Sequence, residues 1–411
     1  MAEIHLLKTM EPTGRRVSGL DRLRTWAALG VVALHVGVPY YLAPFPNLIW
    51  SMQDEPGPIV DAVCWTIDTC VMPLFFLMSG YLAWASLRQR GATGFLKQRT
   101  LRLLIPFLFA CIVILPMDLY AWLFTWAAVG KIPLAKLRTP LKIPLVGESH
   151  LWGVGHLWFL EYLYVFSVIL WAGAKLDESR GRKTTDEKGA PRVLWIARLF
   201  PPLGFAALPF LLWWQPLILI GFTHSWFLQL PNVLFFGIWF VIGGCWFSHP
   251  PQWSPTRRYV QLALAALVFA YTLPQIRTHA RLLASTDPTH QLPVLAILGF
   301  AVTGILLATT FFVGAIRPPA TCAAEQSNHW GSACYATLAR ASFWIYLFHH
   351  PVSALIPYSL SRLPLPAEIK FVIAFIVTTL LSLATYRVFV RDTIIGHLLE
   401  GQRPSNEPPG K

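Results

Sequence analysis

Residues 18–40 read SGLDRLRTWAALGVVALHVGVPY. Ser18 is a fitting helix N-cap, and Asp21 three residues on comes close to a capping box. From Trp26 the stretch is almost wholly apolar and long enough to cross a bilayer. Two strongly polar side chains interrupt it, Arg24 at the mouth and His35 inside. At roughly 100° per residue, the spacing returns both to nearly one face, about 16 Å apart along the axis. That is half of a roughly 30 Å hydrocarbon core. Asp21, Ala28 and Val31 share the face. The pattern predicts a membrane helix with a charged foot and a histidine near the midplane. A titratable group at that depth reads as functional. A snorkelling arginine and a histidine satisfied by a neighbouring helix would leave the same pattern.

The rest of the chain shares this texture. Of 411 residues, 55% are hydrophobic and 13% charged, far from the balance of a soluble domain. Without a long polar block, the expected organisation is one membrane domain over 18–392, with cytoplasmic tails at 1–17 and 393–411. The first tail is polar and basic with no apolar core, unlike a cleavable signal peptide. The net charge of +13 sits in short loops between apolar segments, so it reads as the positive-inside rule and not as a nucleic-acid surface. The six cysteines show no CxxC spacing. Cys322, His329 and Cys334 share a loop whose spacing fits no standard zinc site, so neither metal nor disulfide framework is expected.

Ten apolar spans fit the sequence: 22–42, 61–87, 103–129, 154–174, 193–213, 231–248, 259–274, 292–316, 342–360 and 369–390. The expected fold is an all-α polytopic bundle with both termini in the cytoplasm. In that orientation cytoplasmic segments carry about three times the Lys and Arg of the outer ones. The basic stretch 130–150 is the exception, placed outside. Segment 216–228 fits an interfacial or re-entrant piece, and 175–192 a polar cytoplasmic loop. Many of the 18 tryptophans fall near span ends, as in an aromatic belt; some facing an outer cavity could stack on sugar rings.

Three further clusters carry chemistry. Arg99 and Arg102, three residues apart behind a basic loop that holds Arg88, Arg90 and Lys97, are expected to point the same way from the end of the third span and form a compact anion clamp. From spacing alone, topology charge is the simpler account of them. Ser79-Gly80 allows close helix approach, and Ser79 is a weak nucleophile candidate. His156 and Glu161 open the fourth span some 140° apart. Glu161, Asp68 and Asp118 are intramembrane acids that need partners. His349 and His350 precede Pro351, with Tyr346 one turn earlier; proline frees a carbonyl that a histidine can use.

The blocks LDRLRTWAALGVVALH, FFLMSGYLAWASLRQRGATGFLKQRTLRLLIP, GHLWFLEYLYVFS and FWIYLFHHPV, in this order, resemble the acyltransferase-3 family of integral membrane acyltransferases. The resemblance runs from about Leu20 to Val390 and is nearest in texture to the glucans biosynthesis protein C branch of glucan succinyltransferases. The family's basic residue, ten intervening residues and histidine match Arg24 to His35; its RxxR signature matches Arg99 and Arg102. What the resemblance implies is about ten membrane helices in a bacterial inner membrane, acyl-coenzyme A on the cytoplasmic face, and a glycan or glycolipid acceptor on the other.

Acyl transfer from a thioester to a hydroxyl needs a base, charge stabilisation for the oxyanion and an anchor for the donor. His35 is the expected general base, with Arg24 and Asp21 on the same face as its catalytic companions. Arg99 and Arg102 are the expected clamp for coenzyme A. His349, Glu161, His156, Tyr346 and Ser79 are the expected supporting or acceptor-binding groups. The rival reading is a transporter or flippase for a glycolipid or organic anion, with the same His and Arg as relay and substrate groups.

Overall fold

The computed structural model describes residues 19–42, 50–134, 153–180, 194–216, 218, 225–283, 293–316, 329–391, 393 and 395–396. Ser18, the tail at 1–17, most of the tail at 393–411, positions 135–152 of the basic stretch, 181–193 of the polar loop, most of 216–228 and Cys322 lie outside them. The described residues form ten α-helices and no strand. They are α1 (Gly19–Gly37), α2 (Pro58–Arg99), α3 (Ile105–Ala128), α4 (Trp158–Ser179), α5 (Leu194–Trp214), α6 (Leu230–Ser248), α7 (Pro255–Leu283), α8 (Val294–Ile316), α9 (His329–Ser361) and α10 (Ala367–Thr385). Each falls on one of the ten apolar spans. Six elements are long and apolar enough to cross a membrane, one of them the joined run Pro58–Ala128. The chain is an all-α polytopic membrane protein.

The expected basic loop between the second and third spans is helical instead. α2 runs on through it and breaks at Gly91 alone, where φ is +66°. That backbone conformation is open to glycine at little steric cost. Past the break the chain doubles back, and Ser86 donates to Gln98 Oε1. A π-helical turn (Thr100–Leu104) then leads into α3.

Helix α1 packs on α2, α8, α9 and α10. α9 in turn packs on α1, α3 and α10. Without a hydrophobic drive between helices in lipid, close approach depends on small residues. α2 and α6 meet this way reciprocally: a Cβ on Gly80 would strike the carbonyl of Phe240, and one on Gly243 the carbonyl of Leu77. Most aromatic and aliphatic side chains pointing inward join one core cluster. A second, smaller cluster of Trp50, Trp122, Trp126, Ala121, Leu123 and Ala354 sits apart from it.

The end of the bundle where α1 stops and α2 begins is tied by two ion pairs. Asp61 binds Arg277 at 2.6 Å, and Asp54 binds Lys370 at 3.0 Å. Backbone bonds from Asp54 to Pro39 and from Gly57 to Tyr40 fix segment 50–57 over the last turn of α1. Arg277 and Lys370 are two of the charges expected outside, and each has an acid partner at its own end.

Candidate active site

His35 lies in the last turn of α1, which ends at Gly37. It is therefore nearer the far end of its helix than the midpoint the sequence suggested. The cause is that α1 stops soon after the histidine, where Pro39 opens a 3-10 turn. His35 is half-buried. Four imidazoles from three elements meet there. His35 comes from α1, His349 and His350 from α9, and His156 from a 3-10 turn (Gly155–Leu157) ahead of α4. Ring centroids stand 4.9 Å apart for His35–His349, 4.8 Å for His35–His350 and 4.6 Å for His156–His350.

The hydrogen bonds assign each ring. Carbonyl oxygens only accept, so a ring nitrogen facing one carries the proton. His349 Nδ1 lies 3.0 Å and 2.8 Å from the carbonyls of Ile345 and Tyr346, so it is the N–H. Its Nε2 is then an acceptor, and it lies 2.9 Å from His35 Nδ1. His35 Nδ1 also faces the Val31 carbonyl at 2.9 Å. The proton of His35 therefore sits on Nδ1, shared between these two acceptors. The lone pair of His35 is left on Nε2. This is the arrangement a general base needs: one nitrogen fixed by a neighbour, the other open.

His156 Nε2 donates to the Leu347 carbonyl at 3.0 Å. That carbonyl is available because Pro351, four residues on, has no N–H to give it. Tyr346 donates its hydroxyl to the His156 backbone carbonyl, so α9 holds the His156 turn at two points. His350 Nδ1 donates to Asp118 Oδ1 on α3 at 2.7 Å. Asp118 thus finds the partner an intramembrane acid requires. Trp50 stacks on His35 at 5.8 Å and meets His350 edge-on at 5.4 Å, closing the cluster from segment 50–57. Asp118, His156 and His350 place one ligand atom each within 4.8 Å of one another and are the described residues grouped to hold a metal.

The other expected residues sit elsewhere. Arg24 pairs with Asp21 at 3.3 Å and donates to the Ala339 carbonyl, about 16 Å along α1 from His35. Neither touches the imidazoles. Arg99 and Arg102 flank the π turn. A π turn is wider than an α turn, so three residues no longer bring side chains to one face. Arg99 is half-buried with its guanidinium 5.4 Å from the Phe95 ring, while Arg102 is exposed. The two remain electrostatic neighbours, and Arg102 also feels Arg24 and Arg90. The four arginines thus gather at the α1 N-terminal end. Glu161 neighbours Cys111 and makes no described hydrogen bond to the histidines. Ser79 is far away: Cys64 is level with Ala33, and Ser79 lies about 22 Å further along α2. Asp68 lines a separate cavity with Trp239 and Phe300.

What sequence reasoning did not bring together was Trp50 and the Asp118–His350 pair. The only signal for the pair was an unpartnered acid in one span and an extra histidine in another. The family model described as an acyltransferase domain matches residues 17–387. No curated protein matches the chain, and no solved structure does. Membership decides between the enzyme and the flippase in favour of the enzyme. The chain belongs to the acyltransferase-3 family and is an integral membrane acyltransferase.

Proposed function

We propose that this acyltransferase moves an acetyl or succinyl group from cytoplasmic acyl-coenzyme A to a hydroxyl of an extracytoplasmic glycan or glycolipid, with His35 as general base. The observation that carries the reading is the 2.9 Å contact between His35 Nδ1 and His349 Nε2. It leaves His35 Nε2 free to take the hydroxyl proton as the oxygen attacks the thioester carbonyl. The same imidazolium then returns the proton to the departing thiolate. His349 is a positioning residue: it fixes the tautomer and touches no substrate.

The donor approaches from the end where Arg24, Arg90, Arg99 and Arg102 gather. Guanidinium groups suit the phosphates of coenzyme A. The thin pantetheine arm then spans the length of α1 to His35. The acceptor comes from the opposite end, under segment 50–57. A glucan acceptor accords with the sequence texture around Met72 and His156. The enclosing membrane is the bacterial inner membrane with both termini in the cytoplasm.

The test is release of free coenzyme A by purified protein in detergent, given acetyl- or succinyl-coenzyme A. Release that depends on an acceptor and disappears in His35→Gln supports the reading. Undiminished release in His35→Gln overturns it.

A further inference from the structure

Two nitrogens of the histidine cluster have no use in the reaction just described. His350 gives its Nδ1 proton to Asp118, so its Nε2 holds a lone pair. His156 gives its Nε2 proton to Leu347, so its Nδ1 holds a lone pair. Among the described residues both atoms are buried and meet no hydrogen-bond donor. A buried acceptor left unpaired costs on the order of 1–3 kcal/mol, a cost a purely structural pair would not carry. The outer nitrogens are not orphaned. A carboxylate and a proline-freed carbonyl hold each ring in the tautomer that keeps these two atoms as acceptors.

We propose that His350 Nε2 and His156 Nδ1 are the docking pair for the acceptor substrate, reading two hydroxyl groups beside the one that reacts at His35. This rests on His35 being the base. The assignment to the acceptor follows from what each substrate brings. The thioester itself brings a carbonyl and a sulfur, neither a donor, and its nearest amide N–H stands two methylenes back from the reacting carbon, whereas a polyol brings a donor at every hydroxyl. His350 stands edge-on to His35 at 4.8 Å, so a ligand held on His350 lies beside the base. The His350 and His156 rings stack 7° from parallel. Their lone pairs lie in two separate planes, which suits two hydroxyls and not one ion at the centre of both. The ligand class is therefore a polyol with neighbouring hydroxyls, and a monohydric alcohol satisfies only the base. Trp50 lies against His35 and His350 and Trp122 stacks on His350, so the ligand reaches the pair by displacing an indole.

Asp118→Asn is the sharpest variant. With its NH2 turned to His350 Nδ1 the amide moves the ring proton to Nε2, turning the acceptor into a donor without changing the shape, and the 15N shifts of the His350 ring report that the tautomer has switched. Purified full-length protein is assayed for coenzyme A release from acetyl- and succinyl-coenzyme A, with methyl glucoside or 1-propanol as acceptor. The expected result is that methyl glucoside accelerates release well beyond 1-propanol at equal concentration. Asp118→Asn should raise KM for methyl glucoside by at least about tenfold, with KM for the thioester unchanged. His156→Gln, which does not touch α3, should do the same if Asp118→Asn fails to fold. An unchanged methyl glucoside KM in the folded variants overturns the proposal. So does 1-propanol serving as well as the glucoside, no acceleration by the glucoside, or stoichiometric zinc that His350→Gln releases. His35→Gln separates the two readings: full activity there removes the base, whereas an unmoved acceptor KM in Asp118→Asn removes only the docking pair.

Discussion

His156 Nε2 lies 3.0 Å from the carbonyl oxygen of Leu347, the carbonyl that Pro351 leaves without a helical donor. A helix defect on α9 thus becomes the anchor of a catalytic-site side chain on another element. Pro351→Ala restores an N–H that competes for Leu347. Loss of one net hydrogen bond, about 1 kcal/mol, predicts a fall in kcat/KM of roughly fivefold or more, with a melting temperature unchanged or raised. Unchanged kinetics together with a higher melting temperature would show that His156 does not depend on this anchor.

His35→Gln should lower acyl transfer by about 10²–10⁴-fold, the usual share of a general base, while the protein stays folded. His349→Gln keeps an acceptor for His35 Nδ1 and should lose less; His349→Leu removes it and should lose more. The rate should fall on the acid side, because the base acts only as the neutral imidazole, and level off as pH rises. With four imidazoles in contact the midpoint belongs to the cluster and not to His35 alone. A rate that is flat from pH 5 to 8 would place the proton transfer elsewhere.

Arg99→Ala with Arg102→Ala should raise the apparent KM for acyl-coenzyme A by at least roughly tenfold, given about 1.5–3 kcal/mol for each charge-assisted bond. The effect should shrink with salt for the exposed Arg102 and less for the half-buried Arg99. Unaltered donor kinetics in folded protein would return both residues to topology charge.

The Asp54–Lys370 pair is nearly closed to solvent, with side chains 9% and 4% exposed. Removing one partner of such a pair costs about 3–5 kcal/mol, because the other charge is stranded. Lys370→Met should therefore destabilise strongly, and Asp54→Asn with Lys370→Met should recover much of the loss. Thermal unfolding in detergent compares them. Equal melting temperatures for the single and double variants would show that the pair is not a coupled unit.

Much of the architecture was legible because apolar runs are long and prolines and basic loops punctuate them. The histidine of α1 was legible because an ionisable residue inside such a run has few bland explanations. The hairpin at Gly91 was not, since RQRGATG looks like a loop by composition and only the backbone shows one glycine interrupting a helix. The uneven burial of Arg99 and Arg102 was hidden for a related reason: spacing rules assume an α turn, and this turn is π. The Asp118–His350 bond joins residues 232 positions apart, beyond any local pattern. Trp50, between the first two spans, carries no local mark of a site; only the fold of segment 50–57 over the end of α1 brings it to His35.

Because Arg24 and His35 ride on one unbroken helix, their spacing behaves as a ruler with angular as well as linear marks. Inserting a single residue between them lengthens α1 by only about 1.5 Å but swings His35 by about 100° away from His349. Adding four residues restores most of the angle and leaves the length wrong by about 6 Å. No short insertion keeps both. The count of intervening residues is thus fixed more tightly than their identities, and most side chains on the far side of that helix are free to change as long as none is added or lost.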